Sequence, residues 1–125
     1  MKNEAFNLKL QYCCTYLYAR LTGEDSFAAS LDYWNVIADK VRELECDKLL
    51  VHENLAGTVT EDEMSDLIMD LKSSGLLDIR IAFYDENPDH AAINAFGQSL
   101  ASAEGANIGI FDSLEEARHW IGQEG

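Results

Sequence analysis

The sequence predicts a single α/β domain with the element order ββαβαβαβα, built on a mixed five-stranded sheet with helices mainly on one face. Three observations carry this. Apolar and polar residues alternate over positions 6 to 21, the period of a half-buried strand, and from Phe27 onward apolar residues recur at steps of three and four, the period of a helix. Short apolar runs of strand length then return at 48–52, 79–84 and 107–111, each leading into a helical stretch. Helix start and stop signals sit between them, with Thr60 and Ser113 as N-caps and Gly75 and Gly105 as stops. With 125 residues, 47% of them hydrophobic, the chain can bury roughly two-thirds of its unfolded surface in one core, so residues 1–125 are expected to form one domain.

Taken in order, Phe6–Leu10 and Thr15–Leu21 read as two strands of a hairpin. The turn near Tyr12-Cys13-Cys14 lacks the usual Gly, Asn or Asp, so its register is the least determined part of the reading. Phe27, Leu31, Trp34, Ile37, Val41 and Leu44 form one apolar stripe of a helix ending before Asp47. Lys48–His52 is a strand, and Glu53–Val59, with Gly57 inside it, is expected as a loop. Thr60 with Glu63 three residues on forms a capping box, and Met64, Leu67, Ile68 and Leu71 are the buried face of the second helix. Ile79–Tyr84 is the next strand. Asn87 can cap, and Pro88 can open, a third helix with its stripe at Ile93, Phe96 and Leu100. Asn107–Phe111 is the last strand. Ser113 and Glu116 make a second capping box before a helix that buries Leu114, Ala117, Trp120 and Ile121.

Strands joined through single helices lie parallel with right-handed crossovers, so strands added in one direction place their helices on one face. Alternation then assigns the faces. Leu17, Ala19, Leu21, Ile79, Ile81, Phe83, Ile108 and Ile110 point to the core, whereas Tyr16, Tyr18, Arg20, Tyr84 and His52 share the second face. An amphipathic aromatic face of this kind suits a partner subunit or an apolar ligand, unless the hairpin or a helix covers it. A second copy of the chain is the first expectation.

Nine Lys plus Arg against 23 Asp plus Glu leave a net charge of −14, which repels phosphate backbones and makes nucleic acid an unsuitable partner. No apolar run of leader length opens the chain and no stretch of about 18 uncharged apolar residues occurs. A cytoplasmic protein without membrane insertion is therefore expected. The three cysteines are an odd number, and Cys13-Cys14 are adjacent rather than spaced as a CxxC pair, so free thiols are expected over a strained vicinal disulfide.

Several segments resemble the SpoIIAA-like group of the STAS superfamily of sulfate transporters and anti-sigma-factor antagonists. They are Tyr18-Ala19-Arg20-Leu21-Thr22-Gly23, Tyr33-Trp34 before Ile37-Ala38, Leu49-Leu50-Val51, Arg80-Ile81-Ala82-Phe83, and the ending from Phe111-Asp112-Ser113 to Trp120-Ile121. The resemblance spans nearly the whole chain and implies a βα superhelical sheet, also seen in lipid-carrying CRAL-TRIO domains, together with a binding or regulatory role. Antagonists of this group carry a phosphorylatable Ser after an Asp, at the junction between the middle parallel strand and its helix. Here that junction reads His52-Glu53-Asn54-Leu55-Ala56-Gly57-Thr58-Val59-Thr60, without the Asp-Ser pair. Thr58 and Thr60 are the nearest hydroxyls, and Thr60 is accounted for as an N-cap.

Loops that follow parallel strands gather at the strands' carboxyl ends, so Glu53, Asn54 and His52 are expected to approach Asp85, Glu86, Asp89 and His90. Such a cluster could serve acid/base chemistry or a divalent metal, but no HExxH, DxDxDG or CxxC spacing organises it, and solvated caps and loop charges are the simpler account. There is no GxSxG elbow, Walker loop or GxGxxG turn. The expectation is a non-enzymatic binding or regulatory module acting through protein–protein contacts, without cofactor or metal. The alternative is a carrier of a small apolar or lipid-like ligand.

Overall fold

The computed structural model describes residues 6–122; the reading of residues 1–5 lies outside them. The elements are β1 (Phe6–Tyr12), β2 (Leu17–Glu24), α1 (Phe27–Leu44), β3 (Lys48–Ala56), α2 (Glu61–Ser73), β4 (Arg80–Asp85), α3 (Ala91–Ala103), β5 (Asn107–Phe111) and α4 (Leu114–Ile121). Short 3-10 turns at Leu76–Asp78 and Pro88–His90 lead into β4 and α3. The sheet order is β1-β2-β3-β4-β5, with β1 antiparallel to β2 and every later pair parallel.

The sheet separates two cores. On one face Leu17, Ala19, Leu21, Leu49, Val51 and Ile81 meet Tyr33, Ile37 and Val41 of α1, Leu67 and Leu71 of α2, and Ala101 of α3. Each large side chain buried there contributes roughly 1.5–3 kcal/mol of apolar transfer. On the other face Leu50 and Ala82 meet Ala117 and Ile121 of α4, ringed by Tyr16, Tyr18, Tyr84, Phe111 and Trp120. Arg80 strengthens this second seam, with its guanidinium 4.0 Å from the Trp120 ring and Nη2 donating to the Trp120 carbonyl at 2.9 Å. Three helices thus lie on one face, and α4 covers part of the other.

Local signals behave as their chemistry requires. Thr60 accepts from Glu63 N–H at 3.1 Å while Glu63 Oε1 accepts from Thr60 N–H at 2.9 Å, a complete capping box, whereas of the second box expected at Ser113 and Glu116 the forward half forms, Ser113 accepting from Glu116 N–H at 3.1 Å. Thr60→Ala is expected to cost about 1 kcal/mol, read as a shift of the urea midpoint with an unchanged slope; no shift would mean that solvent replaces the cap without loss.

Several boundaries differ from expectation. Asn87 and Pro88 open a 3-10 turn rather than α3, which begins at Ala91 with no side-chain cap, and β1 runs on to Tyr12 rather than ending at Leu10. The hairpin turn extends over residues 13–16, with Cys14 at φ 65° supplying the left-handed residue that a glycine or asparagine would ordinarily provide. β2 accordingly starts at Leu17 rather than Thr15 and runs on to Glu24. Likewise Glu53–Ala56 is strand, not loop, because each of these residues pairs with β2 from Leu21 to Glu24. Strand propensity reads Glu and Asn as poor strand formers, but the parallel ladder to β2 overrides it, with Glu53 also paired to Asp85 of β4. Cys13, Cys14 and Cys46 are free thiols.

Candidate functional site

Successive residues of a strand face opposite ways, and in β3 this divides the expected loop cluster in two. His52 turns to the α4 face, where its Nδ1 lies 2.7 Å from the Tyr18 hydroxyl and its Nε2 lies 2.5 Å from Glu86 Oε2. Arg20 of the adjacent strand sits 3.2 Å from His52 Nδ1 and 3.7 Å from Glu86, and the Tyr84 ring lies 5.0 Å from the imidazole. Tyr16, Tyr18, Arg20 and Tyr84 are half-buried, and Glu86 is exposed, around a buried His52. The aromatic second face expected from alternation is therefore assembled as one network. Its free edge continues onto the exposed Lys9 and Gln11, which pair with Arg20 and Tyr18.

Burial above all, and then the Arg20 charge, lower the His52 pKa, against the opposing pull of the Glu86 hydrogen bond. A neutral ring fits the contacts, with Nε2–H donating to Glu86 and Nδ1 accepting from Tyr18. An unfolded histidine takes up a proton near pH 6.5 and the folded one only at lower pH, so this contribution to stability is complete above about 6.5 and is lost as pH falls through the folded value. His52→Gln is expected to lose less thermal stability than the parent between pH 7 and pH 5. Equal losses in paired melts would show that His52 does not govern this range.

Glu53 turns to the helix face, only 5% exposed. With it stand Asp85, only 3% exposed at its side chain, and His90, whose Nδ1 lies 2.8 Å from Asp85 Oδ2 while Nε2 donates to the Gly57 carbonyl at 2.5 Å. Asn94 Nδ2 donates to Asp85 at 3.0 Å. His52 and His90 thus serve opposite faces of the sheet and share no site, which corrects the expected joint cluster. Asn54 is exposed on β3, and Asp89 is exposed with its N–H held by Asn87 Oδ1 at 3.0 Å, so neither joins either group. Thr58 is exposed with its hydroxyl 3.4 Å from the Val59 carbonyl, and Thr60 is engaged as the α2 cap.

Sequence reasoning missed Asp25, Ser30 and Tyr33 as members of the helix-side group. Asp25 Oδ1 accepts from Ser30 Oγ at 2.8 Å and from Ser26 N–H at 2.8 Å, and the Tyr33 hydroxyl lies 3.2 Å from each Asp25 oxygen. The carboxyl-end rule points to Asp25, which follows parallel strand β2, as directly as to the residues after β3 and β4. Burial raises the Asp25 pKa and carries that of Glu53 well above the usual carboxylate range, with the charges of Asp25 and Asp85 adding to the latter. Tyr33 is likewise raised well above its ordinary value by burial and by Glu53 and Asp25. Among the described residues no group of three or more His, Cys, Asp or Glu side chains is placed to hold a metal ion. No described helix is long and apolar enough to cross a membrane.

The fold is similar to that of solved SpoIIAA structures. Bacillus SpoIIAA in its phosphorylated form, a cell fate determinant, superposes with a TM-score of 0.58 at 14% identity, over 92% of this chain and 99% of that one. The unphosphorylated anti-sigma factor antagonist SpoIIAA gives 0.54 at 14% identity, over 90% and 94%. The chain has a SpoIIAA-like fold. No family model and no curated protein matches it by sequence. The β3–α2 junction carries Gly57, Thr58 and Thr60 here, and the Gly57 carbonyl accepts from His90 Nε2.

Proposed function

We propose that the chain is a non-enzymatic regulatory module acting through protein–protein contact, with the Tyr18–Arg20–His52–Tyr84–Glu86 surface as its contact patch and a second copy of the chain as its first partner. The observation that carries this reading is the incomplete cover of the second face. α4 seals Leu50 and Ala82 but leaves Tyr18, Arg20 and Tyr84 half-exposed, with Glu86 and Lys9 open beside them. Tyrosine and arginine are enriched in contact hot spots because they combine large area with directed polar groups. Charge favours the same place. On a chain of net charge −14, Lys9 and Arg20 against Glu86 form a locally cationic area where approach of another acidic surface is least opposed. Regulation by protein contact also accords with the SpoIIAA structures, one of them described as an anti-sigma factor antagonist.

Light scattering across a concentration series tests the patch. The parent chain is expected to reach twice its monomer mass, and Arg20→Glu with Tyr84→Ala is expected to return it to the monomer with its circular dichroism unchanged. A parent chain that stays monomeric at every concentration overturns the self-association. At the β3–α2 junction we propose Thr58 as the candidate for modification, because it is exposed while the Thr60 hydroxyl serves the α2 cap. A phosphate-shift gel comparing the parent with Thr58→Ala reads it directly.

A further inference from the structure

The two edges of the sheet are not protected alike. An edge strand presents one row of backbone N–H and C=O groups that no neighbouring strand takes up, and proteins commonly guard such a row with charged side chains, proline or a covering element. β1 carries Lys9. β5, which pairs only with β4 among the described residues, reads Asn107-Ile108-Gly109-Ile110-Phe111, without charge or proline. Gln98 of α3 covers one of its acceptors, with Nε2 donating to the Ile108 carbonyl at 3.0 Å.

Beside this edge, between β5 and α4, runs an open groove of about 640 Å³ bordered by Ile110, Phe111, Asp112, Glu115, Glu116 and Trp120. The Ile110 side chain packs on the helix side of the sheet, so a groove that touches this residue from the α4 side reaches the strand's edge. Gly109 lowers the strand there. The Phe111 ring lies back over it, where a Cβ would stand 2.9 Å from the ring carbons, and meets Trp120 at 5.2 Å between centroids. An aromatic floor results. Its wall is anionic: Asp112, Glu115 and Glu116 are exposed, and among the described residues no ion pair engages them. Arg80 is engaged with the Trp120 ring and carbonyl, and the Arg118 guanidinium lies 5.5 Å from the Tyr18 ring, on the flank of α4 that faces the contact patch.

We propose that this groove docks an extended basic segment of a partner protein, added to the sheet as a strand beside β5. Alternate Lys or Arg side chains lie over Phe111 and Trp120 toward Asp112, Glu115 and Glu116, and the intervening apolar ones lie beside Ile108 and Ile110. Strand addition supplies the hydrogen bonds that the outer row of β5 lacks, and the two-residue period divides the added side chains between the two faces. On the α4 face, long basic side chains cover aromatic surface with their stems while their heads reach the carboxylates. On the helix face, the half-buried Ile108 and Ile110 offer apolar neighbours. An acidic segment would meet three carboxylates with like charge, and a compact ligand would leave the strand edge unpaired. The β1 edge, with Lys9 exposed, opposes the same segment, so charge sorts the two edges. The groove and the Tyr18–His52 patch lie on opposite flanks of α4, and the proposal stands apart from the contact reading.

A heptapeptide alternating lysine and valine, with blocked ends, tests it by calorimetric and amide-resonance titration of the parent chain. Two peptides serve as comparisons, one with glutamate for lysine and one N-methylated at two adjacent central residues, which keeps the side chains but removes a donor from each edge. The lysine peptide is expected to bind and to shift resonances in β5 and α4, and the other two to bind roughly tenfold more weakly. Glu115→Gln with Glu116→Gln should weaken binding about fivefold. Asp62→Asn with Asp66→Asn, the same change of charge on the exposed side of α2, should alter it by less than about twofold. No binding of the lysine peptide, equal binding of either comparison peptide, an equal loss in the α2 variant, or shifts confined to β1, β2 and α2 would overturn the proposal. So would shifts in β5 and α4 that grow with protein concentration in the absence of peptide, which would assign the groove to a second copy.

Discussion

Gly57→Val is expected to lower folding stability by roughly 3–5 kcal/mol, the largest loss for any surface position here. Gly57 is exposed, so burial does not predict this. Its φ of 79° is a conformation that β-branched residues resist, and an added Cβ would stand 2.8 Å from the Asp25 backbone oxygen. Backbone cannot yield as a flexible side chain can. Asp25 N–H is itself tied to the Ala56 carbonyl at 2.7 Å, so displacing that loop strains the ends of β2 and β3 together. Gly105→Val is the control. Its φ of 91° carries similar strain, but nothing lies within 4 Å of the added Cβ. It should cost only about 1–2 kcal/mol. Urea unfolding of both variants measures the difference. Equal costs would mean that the approach of Gly57 to Asp25 is not tight, and with it the placement of His90 on the Gly57 carbonyl would lose its anchor.

Glu53→Gln is expected to stabilise the protein at neutral pH, by about 1–3 kcal/mol. The unfolded chain ionises Glu53 near pH 4.5, whereas burial with Asp25 and Asp85 nearby holds the folded carboxyl well above that value. The folded state then binds more protons than the unfolded state, and stability falls as pH rises from about 4.5 through the folded value. Glutamine titrates in neither state and avoids this loss. The gain should vanish below about pH 4.5, where parent and variant both carry a neutral side chain. Asp25, also raised by burial, gives the parent a slope of the same sign that the variant keeps. Melting temperatures from pH 4 to pH 8 decide the matter, and a variant less stable than the parent at pH 7 would show that Glu53 carries a favourable charge.

The two faces of the sheet were legible because alternation in β2, β4 and β5 is regular, and Tyr18, Arg20, His52 and Tyr84 do meet on the second one. The helix-side group was half legible. Glu53, Asp85 and His90 stand at strand ends where parallel topology gathers side chains, but no local pattern ties Asp25, Ser30 and Tyr33 to them. Only the docking of α1 brings them onto Glu53. The joint cluster of His52 with His90 failed for a plain reason: with Glu53–Ala56 taken as loop, side-chain direction there was undetermined, and once β3 runs through to Ala56 its two-residue period separates the histidines.

By itself, the sequence determined the element order, the helix caps and the assignment of residues to sheet faces, because these follow from local periodicity and from hydrogen bonds between near neighbours. Tertiary structure alone decided the length of β3, the crossing of α4 to the second face, and the gathering of Asp25, Tyr33 and Glu53. Each of these depends on groups far apart in the chain, whose burial and mutual charge no local pattern records.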